Sequence, residues 1–280
     1  MPELPEVETV RAYLERVRGG TLSEVILRRA DLRYPIDVPA MQQLAGATIT
    51  AVRRRAKYLL LDVHGARGAA VLLVHLGMSG RLFVDDLVDA PWEKHEHARF
   101  VLDGAAEHRL LRFVDPRRFG ALDTFKPQDE GGHKLLRHLG PEPLGDAFDG
   151  RYLHSRCKGR KVAIKQLIMD AKVVVGVGNI YASESLWRAG VSPKRAAGRL
   201  SRKSCNRLAT AIVDVLQEAI AAGGTTLRDF VGCDSSPGYF QQRLDVYDCA
   251  GQPCHRKDDG VIRNAIQQAR MTYWCPKCQR

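Results

Sequence analysis

The chain is expected to be an α+β multidomain protein: an N-terminal β-sandwich with a leading helix, a C-terminal helical domain, and a terminal β-hairpin that binds metal. Three observations lead there. Val7, Val10, Leu14 and Val17 recur at three- and four-residue steps before Gly19-Gly20, which is the spacing of an amphipathic helix and its stop. From about residue 22 to 125, apolar runs such as "YLLLDV", "AAVLLVHLGMSG" and "ARFVLDG" alternate with turns, the texture of antiparallel strands. Four of the seven cysteines, Cys249, Cys254, Cys275 and Cys278, fall in the tail.

The boundaries follow from composition. The polar, Gly-rich "KPQDEGGHK" (126–134) reads as a linker. Beyond it, "YLHSRCKGRKVAIKQLIMD" and "RLATAIVDVLQEAIAAGG" carry helical spacing, the second ending on Gly223-Gly224, a plausible C-cap. "TTLRDF" restarts a short helix, "CDSSPGYFQQ" reads as a loop, and the tail has short β runs. The expected domains are 1–128, 129–240 and 241–280.

Charge narrows the partner. Lys and Arg total 43 against 32 Asp and Glu, a net +11 with a pI near 9.5. The basic residues cluster in "RRRAK", "DPRRFG", "CKGRK" and "SPKRAAGRLSRK". Such clustering suits a polyanion, most simply nucleic acid. No apolar run is long enough for a membrane span, and no secretory signal precedes the first helix. An odd number of cysteines without a signal argues against a disulfide framework. A cytoplasmic, nucleoid-associated protein is expected, with no membrane partner.

Five constellations carry chemistry. In "MPELPEVETV", removal of Met1 would leave Pro2 with a free secondary amine, neutral in part near pH 7 because its pKa is roughly 8. Such an amine can attack an electrophilic sugar carbon, with Glu3 beside it to move a proton; Pro and acids are equally favoured in any helix's first turn. Lys57 opens a strand after three arginines. "KVVVGVGNIYASES" (172–185) reads as an apolar strand meeting a Gly-Val-Gly turn, whose N–H groups could face an anion while Asn179 donates to a phosphate. "HLGMSGRL" and "DPRRFG" each raise large side chains on a Gly-flanked turn, Met78 in one and Arg117, Arg118 and Phe119 in the other, as a DNA-kinking surface requires. Cys275-x2-Cys278 is a zinc half-site, with Cys249-x4-Cys254 as the other half and His255 as an alternative ligand.

Taken in order, "PELPEVETV", "RRAKYLL", "HLGMSG", "DPRRFG", "VVGVGNIYASE", "GGTTLRDF" and "PGYF" resemble bacterial formamidopyrimidine-DNA glycosylase over essentially the whole chain. The resemblance implies a β-sandwich with a leading helix, a helix–two-turn–helix domain and a zinc-finger hairpin, with DNA in the cleft between domains. It implies removal of oxidised purines (8-oxoguanine opposite cytosine, formamidopyrimidines) and strand cleavage at abasic sites by β,δ-elimination, by a monomer acting on double-stranded DNA. Pro2 then looks like the Schiff-base nucleophile, Glu3 the acid, Lys57 the lysine of elimination and phosphate contact, and Arg270 the hairpin arginine that grips phosphates. Met78, Arg117 and Phe119 match the trio that fills the gap left by the extruded base. Asn179, His95, Arg160 and Lys165 fall where the family contacts DNA. One structural zinc and no organic cofactor are implied.

Two departures stand out. The family's zinc site is C-x2-C…C-x2-C; aligned on Cys254, this chain has Lys257 where the second Cys belongs. Cys249 is expected to fill the vacancy, giving ligands Cys249, Cys254, Cys275 and Cys278; the alternative is a hairpin with weak zinc or none. The loop "CDSS" (233–236) stands where the family reads Ser-Asp-Gly-Lys. Endonuclease VIII, which takes oxidised pyrimidines on the same scaffold, and a non-catalytic zinc DNA-binding protein are the competing readings.

Overall fold

A computed structural model describes residues 2–87, 89–104, 110–225, 244–256 and 258–280. Met1, Lys257, most of "GGTTLRDF", the "CDSS" loop and "PGYF" lie outside the described residues. The chain divides into two units. The first holds Pro2, residues 6–137 and Thr225; the second holds residues 3–5, 138–224 and the described tail.

The helix α1 (Leu4–Leu14), whose residues from Glu6 on belong to the first unit, runs on into a 3-10 turn at Glu15–Val17. Val7, Val10, Leu14 and Val17 are all buried, as their spacing requires. Eight strands follow: β1 (Thr21–Leu27), β2 (Thr48–Arg55), β3 (Tyr58–Gly65), β4 (Gly68–His75), β5 (Arg81–Asp85), β6 (Glu96–Asp103), β7 (Leu110–Val114) and β8 (Ala121–Phe125), with the short helix α2 (Val38–Gln42) after β1. The order is β5-β7-β6-β1-β2-β3-β4-β8, and neighbouring pairs are antiparallel. β1 and β2 share a single register pair, Thr21↔Thr48. That joint splits the sheet into two four-stranded halves. Leu22, Phe100 and Phe113 from one half and Ile49, Leu61 and Leu72 from the other enter one core with the α1 valines, which is the sandwich the alternating runs imply.

Residues 126–134 are more structured than a linker: Pro127–Gly132 form a 3-10 helix of the first unit. His133 and Lys134 reach Asp123 at 3.3 and 2.9 Å.

The second unit contains α3 (Gly150–Cys157), α4 (Ile164–Ile168), α5 (Asn179–Ala189) and α6 (Arg202–Ala221), then the hairpin β9 (Arg263–Gln267) and β10 (Arg270–Trp274). Asp149 and Ser201 cap α3 and α6 through N–H groups of Tyr152 and Ser204. The expected strand before the Gly-Val-Gly turn is absent. Val173, Val174, Val175 and Val177 are buried in irregular backbone, whose N–H groups go to turns: Val173 donates to Asp170 and Val175 to Pro141. A short apolar run does not by itself distinguish a strand from a buried coil. A separate apolar cluster of Trp187, Val246, Ile262 and Tyr273 lies beneath the hairpin with Cys254 and Cys275.

Candidate DNA-processing site

Pro2 is buried and precedes α1. The helix has its own first-turn proline, Pro5, so Pro2 is not needed to start it. Glu6, the first-turn acid, accepts from the backbone N–H and hydroxyl of Thr225 at 2.8 and 2.9 Å. Glu8 pairs with Arg11 and Arg54 at 2.6 and 2.7 Å.

Lys57 sits in the two-residue turn joining β2 to β3, following Ala56 at φ +54°. The turn puts Tyr58 opposite His75, the last residue of β4, with ring centroids 4.8 Å apart. Burial, aided by the nearby charges of Lys57 and Arg33, pushes the His75 imidazole down to about 4. The neutral ring can therefore accept the Gly77 N–H, at 3.2 Å. His75 was not identified from sequence; a His closing an apolar strand gives no signal there.

Met78 lies at the next turn, closed by the Gly80 N–H on the Leu76 carbonyl at 2.8 Å. On the "DPRRFG" turn the Arg117 guanidinium lies 4.9 Å from the Phe119 ring centre, and Phe119 remains 43% exposed. His95 is exposed at the entry to β6 with φ +67°.

The second unit gathers Glu3, Lys165, Asn179, Arg160 and Arg270. The N-terminus of α5 is filled, and its anion is Glu3: the buried carboxylate accepts the Ile180 N–H at 3.2 Å and the Tyr181 N–H at 3.5 Å. The expected anion seat exists, but the chain's own side chain takes it. A Cβ on Gly178 would lie 2.1 Å from the Glu3 carboxyl carbon, and one on Gly176 2.4 Å from Leu4. Gly176, at φ +80°, is held by the close passage of Leu4, and Gly178 leaves the space that the Glu3 carboxyl group fills.

Lys165 is buried, its ammonium donating to Asn179 Oδ1 at 2.7 Å and Thr272 Oγ1 at 2.8 Å. Burial pushes this lysine down to about 8; Glu3 opposes the shift and Arg270 adds to it. Asn179 Nδ2 donates to the Met271 carbonyl at 3.0 Å, tying α5 to β10. Arg156, Arg160, Lys165, Asn179 and Arg270 line a 620 Å³ cavity. Arg156 and Thr272 were not identified from sequence. Neither was Glu184 on α5, which is buried and accepts the N–H groups of Asp245, Val246 and Tyr247 at 2.8–3.0 Å. An acid on an otherwise apolar helix face was the available clue.

The tail corrects the expected metal set. Cys254, Asp258, Cys275 and Cys278 bring one ligand atom each within 4.8 Å of one another. Cys249 is not among them: its thiol faces the carbonyls of Tyr247 and Leu244 at 3.4 and 3.9 Å. The donor set fits zinc. Tetrahedral bonds near 2.3 Å imply sulfur–sulfur edges of roughly 3.8 Å; Cys254 and Cys278 are 3.9 Å apart, and Asp258 Oδ2 is 3.7 Å from Cys275. Asp258 is fixed by the Gly260 N–H at 2.9 Å. A Cβ on Gly260 would stand 2.5 Å from the Cys275 sulfur.

A sheet domain with wedge turns, a basic helical unit and a thiolate hairpin together define a DNA-processing protein. Comparison with known proteins gives the family. The formamidopyrimidine-DNA glycosylase N-terminal domain profile matches residues 1–122, and the H2TH domain profile of the same family matches residues 139–231. The formamidopyrimidine-DNA glycosylase of Stenotrophomonas maltophilia is 54% identical over 281 residues, covering all of both chains. The crystal structure of the MutM (Fpg) protein of Thermus thermophilus is similar with a TM-score of 0.86 and 38% identity, covering 99% of this chain and 98% of that one. A Lactococcus lactis Fpg variant in complex with DNA containing Fapy-dG gives a TM-score of 0.89 at 31% identity, with full coverage of both. The chain belongs to the formamidopyrimidine-DNA glycosylase family. It is a DNA glycosylase of base-excision repair. Among the described residues, no helix is long and apolar enough to cross a membrane.

Proposed function

We propose that the chain removes oxidised purines, 8-oxoguanine opposite cytosine and formamidopyrimidines among them, and cleaves the resulting abasic strand by β,δ-elimination. Pro2, freed of Met1, attacks C1′ of the damaged nucleotide. The C1′–N bond to the base breaks and the base leaves, taking a proton from solvent; C1′–O4′ then breaks, and the amine becomes an iminium ion. The iminium acidifies the neighbouring sugar protons, and their loss expels the flanking phosphates. The Glu3 carboxylate takes the proton released by the attacking amine and passes it to O4′ as the sugar ring opens. Lys57 contacts phosphate and serves elimination.

The target base must be flipped from the duplex at a cost of a few kcal/mol. Met78, Arg117 and Phe119 offset part of it by replacing the lost stacking. His95, Arg160, Lys165, Asn179 and Arg270 hold phosphates, so affinity falls with salt. One zinc ion is held by Cys254, Asp258, Cys275 and Cys278; when bound, it fixes the fold of the hairpin that carries Arg270. The protein acts as a monomer in the cytoplasm.

One observation carries the reading: the Glu3 carboxylate is locked onto the first turn of α5, which fixes the residue covalently bonded to Pro2. Borohydride trapping tests it. An adduct is expected on duplex DNA with 8-oxoguanine opposite cytosine, sharply weakened in Pro2→Gly. No adduct from protein whose mass shows Met1 removed would leave a binding protein. Preference for oxidised pyrimidines across a panel of lesions would favour the endonuclease VIII reading.

A further inference from the structure

Asp115 is wholly buried in the first unit, on the solvent-facing "DPRRFG" turn. Its backbone is fixed from three sides. The N–H donates to the His95 carbonyl at 2.9 Å, and the carbonyl meets the His97 ring at 2.9 Å and the Arg118 N–H at 3.2 Å. Its carboxylate then joins two turns. Oδ2 accepts the Gly120 N–H at 2.7 Å, and Oδ1 accepts the Arg117 N–H at 3.3 Å together with the Ser79 hydroxyl at 3.0 Å.

The first two of those bonds are local, as at many aspartates in turns. The third is not. Ser79 lies 36 residues away, next to Met78. The two turns also touch through backbone: a Cβ on Gly77 would lie 2.4 Å from the Phe119 carbonyl carbon and 2.5 Å from the Gly120 nitrogen. Neither turn can therefore shift without the other while the carboxylate bridges them. Hydrogen bonds to a buried charged group are among the stronger kind and costly to leave half-made.

We propose that Asp115 is a positioning residue that latches the Met78 turn to the Arg117–Phe119 turn, so that the three side chains enter the DNA as one rigid wedge. This rests on the wedge reading given above. The latch touches neither substrate nor the amine chemistry. Its loss is expected to slow the step that replaces a base in the stack and to spare chemistry on a sugar that needs no base displaced.

Two substrates separate these effects: duplex DNA with 8-oxoguanine opposite cytosine, and a single strand with a preformed abasic site. Single-turnover rates are expressed per active molecule, counted by borohydride trapping. Asp115→Asn preserves shape but sets an amide NH2 against a backbone N–H that the carboxylate accepts, that of Arg117 or that of Gly120. It is expected to slow excision from the duplex by about tenfold and to leave abasic-strand incision within about twofold. Ser79→Ala cuts only the bridge between turns, and a smaller loss of the same kind is expected. In both variants, 2-aminopurine placed beside the lesion is expected to show a delayed fluorescence rise.

Met78→Ala and Phe119→Ala serve as reference arms. If they show no difference between the two substrates, the wedge reading fails. If they do, and the latch variants slow both substrates equally or neither, the latch is overturned. Should Asp115→Asn fail to fold, Ser79→Ala decides alone: a loss confined to the duplex supports the latch, and unchanged or equal rates overturn it.

Discussion

The ammonium of Lys165 donates to Oδ1 of Asn179 at 2.7 Å, so one buried cation orients the amide whose other end holds β10. This lysine is pushed down to about 8 by burial, with Arg270 adding to the shift and Glu3 opposing it. The unfolded chain keeps that proton to about 10.5. From pH 8 to 10.5 the unfolded state thus binds more protons, and this group's contribution to stability rises with pH. DNA binding has the opposite dependence. A phosphate favours the charged lysine, so affinity is expected to fall as pH rises through about 8. Anisotropy titrations from pH 7 to 9 check this; the slope should be reduced in Lys165→Met, leaving the share of the Pro2 amine, whose pKa is also roughly 8, and an unchanged slope there would remove Lys165 from the account.

His75 sets a different limb. Its imidazole stays neutral in the folded state down to about 4, whereas the unfolded ring takes a proton near 6.5. Stability from the neutral ring is complete above 6.5 and is lost as pH falls towards 4. Half-burial moderates the effect, so a loss on the order of 1 kcal/mol between pH 7 and 5 is expected. Urea midpoints at the two values, compared with His75→Gln, measure it. Parallel acid limbs for the two proteins would remove His75 from the account.

The tail predicts an unequal response among its cysteines. Cys249→Ser is expected to retain one zinc per chain by elemental analysis, because its thiol faces backbone carbonyls. Asp258→Ala is expected to lose zinc to a mild chelator that leaves the parent protein loaded, and Cys275→Ser to bind none. Metal loss should lower the melting temperature, since binding energy at such a site is folding energy. Zinc lost from Cys249→Ser but kept by Asp258→Ala would restore the four-cysteine set.

Much of this was legible in order and spacing. The α1 valines and the strand runs are buried where periodicity places them, because one face of each element must leave water. Pro2, Glu3 and Lys57 are singled out by the family resemblance, since by residue type each suits an ordinary helix start or strand end. Other features depend on contacts distant in sequence. Nothing near Glu3 announces that its carboxylate caps a helix 177 residues away, nor near Ser79 that it shares an oxygen with a turn three strands later. The clustering at the tail has a similar cause. Counting thiols favours Cys249, whereas the group that gathers with Cys254, Cys275 and Cys278 is the Asp258 carboxylate, and the direction a side chain faces is absent from spacing.

Gly178 shows what that means for reading variants of this protein. Its backbone, at φ −107°, is open to any residue, so propensity scores would pass Gly178→Ala as harmless. Yet the added methyl would occupy the space of the Glu3 carboxyl group. In a mutational survey scored by repair of oxidised DNA, this one-carbon change is expected to rank with Glu3→Ala, although it deletes no functional group. A survivor with near-normal repair would show that residue 3 has room to move. Otherwise the placing of Glu3 is encoded partly as a missing side chain at residue 178, where a list of reactive side chains has nothing to record.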